Sequence, residues 1–539
     1  MHRFEVWAPG KDRVDVVVDG RRTPMARGAN GWWEAAVGDA AAGARYGYAL
    51  DGGDIRPDPR SMSQPDGVLG LSQVVDHDEY RWRDGSWPGL TLQGLAVYEL
   101  HVGTFSPEGT FDGAITRIPH LVDLGVSAIE VMPVAEFSGN RGWGYDGVDL
   151  FAPHHAYGGP AGLKRLVEAC HAAGLGVLMD VVYNHLGPVG NFLSEFGPYF
   201  NSRRQTPWGD ALNFDGPGSE EARRFVIDNA MMWIRDYHID GLRLDAVFAI
   251  HDDSPVHVLE QLVREVKAIK PGALLFAEAD VDGSRFVRSY GFDGAWADDW
   301  HHALHAFLTG ERRGYYSDFG DFEQLGEALR DPWLRGAKSP VLPPRSCVVA
   351  TQNHDQVGNR ATGDRLSALV DEGKQKIASA LLLTSQFTPL LFQGEEWGAS
   401  SPFLFFTDHA DPGLARAVSE GRKREFAAFG WTPEKVPDPQ DPASFERSKL
   451  QWEELDRQPH REMLDWYRRL LALRGTLSGE DVVVEIDCEL RRLIFRRENV
   501  TAYVNLGGED WALHSPGKLV MSSSQAGDVL PPDAVAIYA

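Results

Sequence analysis

The sequence predicts an α/β fold: a (β/α)8 TIM barrel flanked by an N-terminal β-sandwich and a small C-terminal β-domain. Three observations predict it. Eight short apolar runs alternate with helical segments between residues 95 and 475. The stretches on either side instead alternate short apolar runs with turn residues. Several of the eight runs also end in acidic or histidine side chains, as strands of a closed parallel sheet do when their C-terminal ends form one mouth. A length of 539 residues allows two to four domains.

The first 87 residues contain the strand candidates 4–9, 14–20, 32–37 and 46–52, with Asp-Gly pairs at 19–20 and 51–52 marking turns. Residues 1–87 are therefore read as a β-sandwich of the carbohydrate-binding-module kind, and Ser86 to Gly89 as a linker. Residues 88–475 are read as the barrel, with strands at 96–105, 128–134, 176–185, 241–247, 273–280, 294–299, 347–355 and 389–397. The clearest helix runs from Pro255 to Ile269, with Leu259, Leu262, Val263, Val266 and Ile269 on one face and Ser254 as N-cap. Another covers Glu220 to His238, and His460 to Arg474 reads as the eighth. An open doubly wound sheet competes, and the count of eight favours the barrel. Residues 400–458, rich in Pro, Asp and aromatics, read as a lid-like insertion, and 476–539 as the C-terminal β-domain.

Composition removes several function classes. Lys plus Arg is 53 against 78 for Asp plus Glu, a net charge of −25. Such a surface suits neither nucleic acid nor a polybasic membrane anchor. The most apolar stretch, Ile377 to Phe392, carries Ser, Thr, Gln and Pro and is a poor membrane span. Cys170, Cys347 and Cys488 form no disulfide framework, and no apolar leader opens the chain, so a cytoplasmic monomer or homodimer is expected. The 16 tryptophans supply either core or flat surfaces for sugars.

The chemistry gathers at the strand ends. Strand four ends in Arg243 and Asp245, strand five in Glu278, strand seven in His354 and Asp355, and strand three in Asn184 and His185. A single acid at such a place most often caps a helix; three on three strands point to a site. Paired carboxylates in a cleft are equipment for glycosidic bond cleavage, one attacking and one protonating. Arg243 lies two residues before Asp245, so strand alternation puts both on one face and favours the charged carboxylate of a nucleophile. Glu278 follows an apolar run with no basic residue within six positions, which favours the proton-bearing acid.

The stretches 180–185, 241–246, the Glu278 strand and 353–355 resemble the α-amylase family of glycoside hydrolases and glucanotransferases. The resemblance implies Asp245 as nucleophile, Glu278 as general acid/base and Asp355 as transition-state stabiliser, in a retaining mechanism. It implies that His185, Arg243 and His354 bind the sugar at the cleavage point, with Tyr145 stacking on it. A closer similarity, carried by residues 141–160, 298–302, 354–360 and 390–409, is to a branch of that family. Its members cut the α-1,4 bond next to the terminal trehalose of malto-oligosyl trehalose. It implies that Asp298, Asp299, His301 and His302 on strand six, with Gln356 and Asn359, contact the trehalose end. Trp143 and Asp146 complete the expected substrate-binding set.

Other signals are set aside. Residues 142–147 spell GWGYDG, but Asp146 would repel a pyrophosphate and Trp143 and Tyr145 are bulky, so no dinucleotide loop is expected. The pairs His154-His155 and His301-His302 would point oppositely on a strand, and although some relatives bind calcium near the match of Asn184, no acid cage is evident; no metal and no cofactor are expected. Arg422-Lys423-Arg424 reads as a solvated helix face, and Trp32-Trp33 as core, domain contact or glucan surface. The alternatives are a branching or debranching enzyme with the same acids, and a non-catalytic glucan-binding protein.

Overall fold

The computed structural model describes residues 1–336, 342–428, 432–514, 517–525 and 529–539. Residues 429–431 of the expected lid, and 515–516 and 526–528 of the expected C-terminal domain, lie outside the described residues.

Eight parallel strands close into a barrel in sequence order: β1 (Val97–Leu100), β2 (Ala128–Val131), β3 (Gly176–Val181), β4 (Gly241–Leu244), β5 (Leu274–Glu278), β6 (Gly294–Trp296), β7 (Cys347–Ala350) and β8 (Thr388–Phe392). β8 returns to β1 through the partners Leu390 and Val97. The strands are shorter than their apolar runs because the runs include the loop residues beyond them. Val97, Ala128, Leu178, Leu274, Phe276, Val348 and Leu390 fill the interior as one apolar cluster. Above that floor the inward positions turn polar: Glu99, Glu130, Asp180, Arg243 and Glu278.

The outer ring includes α1 (Gly159–Ala172), α2 (Ser219–Asp236), α3 (Val258–Ile269), α4 (Asp298–Thr309), α5 (Glu372–Thr384) and, after α6 (Pro412–Ala428) at the mouth, α7 (His460–Arg474). In α7, Met463, Tyr467, Leu470 and Leu471 recur at helical spacing and all are buried. α3 starts at Val258, not Pro255, and its N-cap is His257, whose Nδ1 accepts from the Leu259 N–H. The physical reason is Arg223, which donates to Asp252 Oδ2 and to the Val256 carbonyl, both at 2.6 Å, and so holds 252–256 as a loop. Strand six also ends early: Asp298, Asp299, His301 and His302 lie in α4, because Ala297 turns the chain directly into helix.

Two N-terminal sheets pack face to face. One runs through His2–Trp7, Trp32–Val37 and Ala26–Arg27; the other runs through Arg21–Pro24, Val14–Val18, Arg45–Leu50 and Ile55–Arg56. Phe4 of the first meets Tyr46 of the second with ring centroids 4.9 Å apart. Asp19 and Asp51 take positive φ at the turns that their Asp-Gly pairs mark. Trp33 is core and donates to the Ala8 carbonyl, while Arg60 lies over Trp32 and pairs with Asp228 of α2. The C-terminal sheet includes Val482–Asp487, Arg492–Arg497, Val500–Asn505 and Ala534–Tyr538. Arg474 of α7 and Arg497 of this sheet both donate to the Ser385 carbonyl, which ties the sheet to the barrel.

The expected linker is a strap. Trp87 stacks on His171 and donates to Asp240 Oδ1 at 2.9 Å, while Asp84 accepts from His171 and His238. Asp240 is 1% exposed and also accepts from His171, Lys270 and the Val177 N–H. Burial alone would raise its carboxyl; the His171 hydrogen bond, Lys270 and Val177 outweigh it and hold the carboxyl below its ordinary 3.8. An acid depressed in the folded state stabilises the fold above its unfolded value and loses that contribution as pH falls through the folded one. Replacing Asp240 by Asn is therefore expected to cost about 3 kcal/mol or more near pH 7. In urea unfolding, the difference from the parent protein should shrink at the acidic end; a pH-independent difference would contradict the assignment.

Candidate active site

A cleft of about 1180 Å³ opens at the C-terminal ends of the strands. Its floor is organised by Arg243, which is 0% exposed. Nη1 donates to both oxygens of Asp180, at 2.9 and 2.7 Å, and to Asp245 Oδ1 at 2.9 Å. Nη2 forms an ion pair with Glu278 Oε2 at 2.9 Å. The guanidinium carbon lies 4.4 Å from the centre of the Trp296 ring. One planar cation thus touches the two acids singled out from strands four and five. No basic residue lies within six positions of Glu278 along the chain, yet Arg243 is brought close through β4–β5 pairing.

The carboxylates nevertheless differ in setting. Asp245 also accepts from Asn184 Nδ2 at 2.7 Å, so both of its oxygens are held by donors. Asn184 is thereby engaged with Asp245, and its Oδ1 meets His185 Nδ1. For Glu278, burial pushes the carboxyl well above its ordinary 4.5; Arg243 opposes that shift, and Asp245 and Asp355 reinforce it. Both Arg243 and the Ala246 N–H, at 2.6 Å, engage Oε2, which leaves Oε1 to carry a proton. Ala246 sits in the left-handed region at φ 40°, a costly conformation for a residue with a Cβ, and that turn aims its N–H at Glu278.

A second chain of hydrogen bonds enters from strand seven. His354 receives Glu99 on two sides: its N–H donates to Oε2 at 2.9 Å and its Nδ1 lies 2.5 Å from Oε1. His354 Nε2 donates to the Tyr145 hydroxyl at 2.7 Å, which in turn donates to Asp180 Oδ2 at 2.6 Å. Burial would lower the His354 imidazole, but Asp355 and Glu99 outweigh it and push it up to about 10, so it is an imidazolium at neutral pH. Burial pushes the Asp180 carboxyl up to about 6 against the pull of Arg243. Tyr145 stacks on His354 with centroids 5.2 Å apart. It reaches there because Gly144, at φ 102°, passes the Pro133 carbonyl so closely that a Cβ would stand 2.0 Å from that oxygen.

Of the residues singled out in the sequence, Trp143, Tyr145, Asp146, His185, Asp245, Glu278, Asp298, His302, His354, Asp355, Gln356 and Asn359 all border the cleft. Arg243 lies just beneath it. Asp355, the most open of the three acids, is held by Asn359 Nδ2 at 3.1 Å. Asp298 accepts from Gln356 at 3.1 Å. Trp143 is mainly packing: it stacks on Phe403 and donates to the Leu404 carbonyl. Asp299 and His301 do not border the cleft, because the helical turn of α4 points them away from it. Asp299 accepts from the Leu334 and Arg335 N–H groups, and His301 bonds the Thr351 carbonyl and Tyr316 hydroxyl.

Sequence reasoning missed several wall residues. Trp208 in the turn between Phe200–Thr206 and Gly209–Leu212, Phe248, Tyr315 and Arg335 all border the cleft. Trp208 is 49% exposed, Phe248 46% and Tyr315 63%, large apolar rings left open beside a polar pocket. Arg422 was expected on a solvated face. Instead α6 turns it into the cleft, over Phe405 and Phe426, where it donates to the Gly358 carbonyl at 2.5 Å and to Asn359. Local charge density hides this, because only the helix of 412–428 decides which of Arg422, Lys423 and Arg424 faces inward.

His154 and His155 also depart from expectation. They lie at a turn rather than on a strand, with rings 4.7 Å apart and Glu136 beside both. His155 Nδ1 bonds Glu136 at 2.6 Å, and His154 Nδ1 accepts from the Ala156 N–H. The His154 proton therefore sits on Nε2, which leaves no lone pair there for a cation.

The family description "Alpha amylase, catalytic domain" matches residues 59–206, and "Carbohydrate-binding module 48 (Isoamylase N-terminal domain)" matches residues 1–64. Malto-oligosyltrehalose trehalohydrolase from Arthrobacter ramosus is 48% identical over 92% of this chain and 90% of its own. The protein of that name from Rhizobium sp. (strain M-11) is 45% identical over 96% and 93%. A crystal structure from Salmonella typhimurium described as an alpha amylase is 38% identical, with a TM-score of 0.91, covering 99% of this chain and 97% of that one. Pullulanase from Bacillus acidopullulyticus shares the fold at 18% identity and a TM-score of 0.74, over 99% of this chain and 73% of that one. Similarity at this level along nearly the whole chain, over a closed eight-stranded barrel, means that the chain belongs to the malto-oligosyltrehalose trehalohydrolases of the α-amylase family.

Proposed function

We propose that the protein is a retaining glycoside hydrolase that cuts the α-1,4 bond next to the terminal trehalose of malto-oligosyl trehalose. It releases trehalose and a malto-oligosaccharide shortened by that unit. The observation that carries the reaction type is the single guanidinium of Arg243 in contact with both Asp245 and Glu278 at the floor of a sugar-sized cleft. Family membership carries the choice of substrate. Three scattered free cysteines, two of them buried, suit a cytoplasmic location. Among the described residues no helix is long and apolar enough to cross a membrane. The division into domains near residues 87 and 475 belongs to the same proposal.

The mechanism follows from the unequal carboxyls. Asp245, both of whose oxygens accept from Arg243 and Asn184, attacks the anomeric carbon. Glu278 gives its Oε1 proton to the departing oxygen, so the glycosidic bond breaks as the Asp245 ester forms. Esterification removes the Asp245 charge, one of the causes that raise the Glu278 carboxyl. Glu278, having given up its proton, then stays ionised, takes a proton from water, and that water cleaves the ester. A spacing of about 5–5.5 Å between the carboxyls is required, and one guanidinium contacting both suits it. His185, His354 and Asp355 bind the hydroxyls of the sugar undergoing reaction, and Tyr145 stacks on it. The exposed rings of Trp208, Phe248 and Tyr315 offer flat faces to neighbouring sugar units.

Two outcomes test this function. Incubation with maltotriosyl trehalose beside plain malto-oligosaccharides should release trehalose much faster than plain chains are cut. Equal rates would indicate a general α-amylase, new or lost α-1,6 branches a branching or debranching enzyme, and binding without cleavage a glucan-binding protein. The pH profile tests the acid. Glu278 must be protonated in the free enzyme, so kcat/KM should fall as pH rises through its elevated value, well above 4.5. An alkaline limb centred in the ordinary carboxylate range would remove Glu278 from that role.

A further inference from the structure

Beneath the cleft one buried carboxyl has no part in the mechanism above. Glu130 on β2 is 2% exposed, and its Oε1 has no hydrogen-bond partner. It stands in register with Glu99 of β1 on one side and Leu178 of β3 on the other. Residues in register on parallel strands share a face, so Glu130 and Glu99 both point into the barrel. The charged groups that face Glu130 are Glu99, Asp180, Arg243 and His354.

Both cations in that set already pair with other acids. Arg243 is held by Asp180, Asp245 and Glu278, and His354 by Glu99, with Asp355 at 3.5 Å. A further anion in the same dry space would have no counter-charge and would face a carboxylate on the next strand. Burial, then Glu99, then Asp180 push the Glu130 carboxyl well above its ordinary value. Glu99, by contrast, has two oxygens that each accept one bond from His354, and each keeps a second lone pair.

We propose that Glu130 is a positioning residue of the hydrolase, a neutral hydrogen-bond donor to Glu99. Glu99 grips His354, His354 grips Tyr145, and Tyr145 reaches Asp180 beside Arg243. Fixing the foot of that chain fixes the angle at which His354 and Tyr145 meet the sugar. The carboxylic acid does no chemistry itself; it limits how far Glu99 and His354 can turn when the sugar distorts toward the transition state.

This inference rests on the proposed hydrolase activity for its kinetic arm and is independent of it for its spectroscopic arm. The variants are Glu130→Gln, which keeps a donor of the same length, and Glu130→Leu, which removes it. Infrared difference spectra of the parent protein minus Glu130→Gln at pH 7 should contain the C=O stretch of a protonated carboxylic acid. On maltotriosyl trehalose, Glu130→Leu should lose about tenfold or more in kcat with KM little changed, as expected for a lost bond to a charged group. Glu130→Gln should recover kcat to within about twofold, with the parent pH profile. Absence of the infrared band overturns the proposal whether or not Glu130→Leu folds. So does Glu130→Leu with parental kcat, or Glu130→Gln impaired as severely as Glu130→Leu. If the parent protein itself cleaves no trehalose-capped substrate, the functional reading fails, while the infrared band still decides the state of Glu130.

Discussion

The site depends on one buried cation. Arg243 has no solvent around it, so its charge must be met by protein, and Asp180, Asp245 and Glu278 meet it. A charge buried with poor partners costs several kcal/mol, which is why three strands converge on this guanidinium and why Trp296 covers it. The arrangement does more than balance charge. Arg243 and Asn184 hold both oxygens of Asp245, whereas Glu278 is touched on Oε2 alone, by Arg243 and Ala246. The same cation therefore meets one acid whose two oxygens both accept and another that keeps an oxygen on which a proton can stay.

The barrel supplies the conditions for that asymmetry. Its lower interior is a cluster of buried apolar side chains. Its upper interior is a layer of acids and one arginine, all on inward positions fixed by strand register. Low dielectric makes each pairing stronger and each unpaired charge more costly. Around the mouth, residues far apart in the chain close the walls: Trp208 from a hairpin after β3, Tyr315 after α4 and Arg422 from α6. The cleft floor is built on strands, and the walls are carried by loops and helices.

Much of this was legible in the sequence. The eight apolar runs, α7 and the N-terminal strands follow from periodicity alone, because burial on one face leaves a period of 3.6 or 2. Asp245, Glu278 and Asp355 stood out because they close apolar runs. What periodicity could not give was where a strand stops. Four residues assigned to strand six lie on α4, where Asp298 and His302, one turn apart, face the cleft and Asp299 and His301 between them do not. Ser254 and Pro255 fit a helix start, yet Arg223, a partner distant in sequence, holds that stretch as a loop. Arg422 among three basic residues, and Arg243 beside Glu278, are also products of tertiary contact. Glu130 reads in the sequence as one polar residue in an apolar strand, and only its register with Glu99 makes its environment visible.

The central claim is that Asp245 is the nucleophile in the pocket that Glu278 serves as acid. The most direct measurement is mass spectrometry of the protein quenched after reaction with a fluorinated malto-oligosyl fluoride, a donor that glycosylates quickly and hydrolyses slowly. The account predicts a single glycosyl adduct on the peptide containing Asp245. An adduct on any other side chain, or turnover of the donor to an inverted product with no adduct at all, would contradict it.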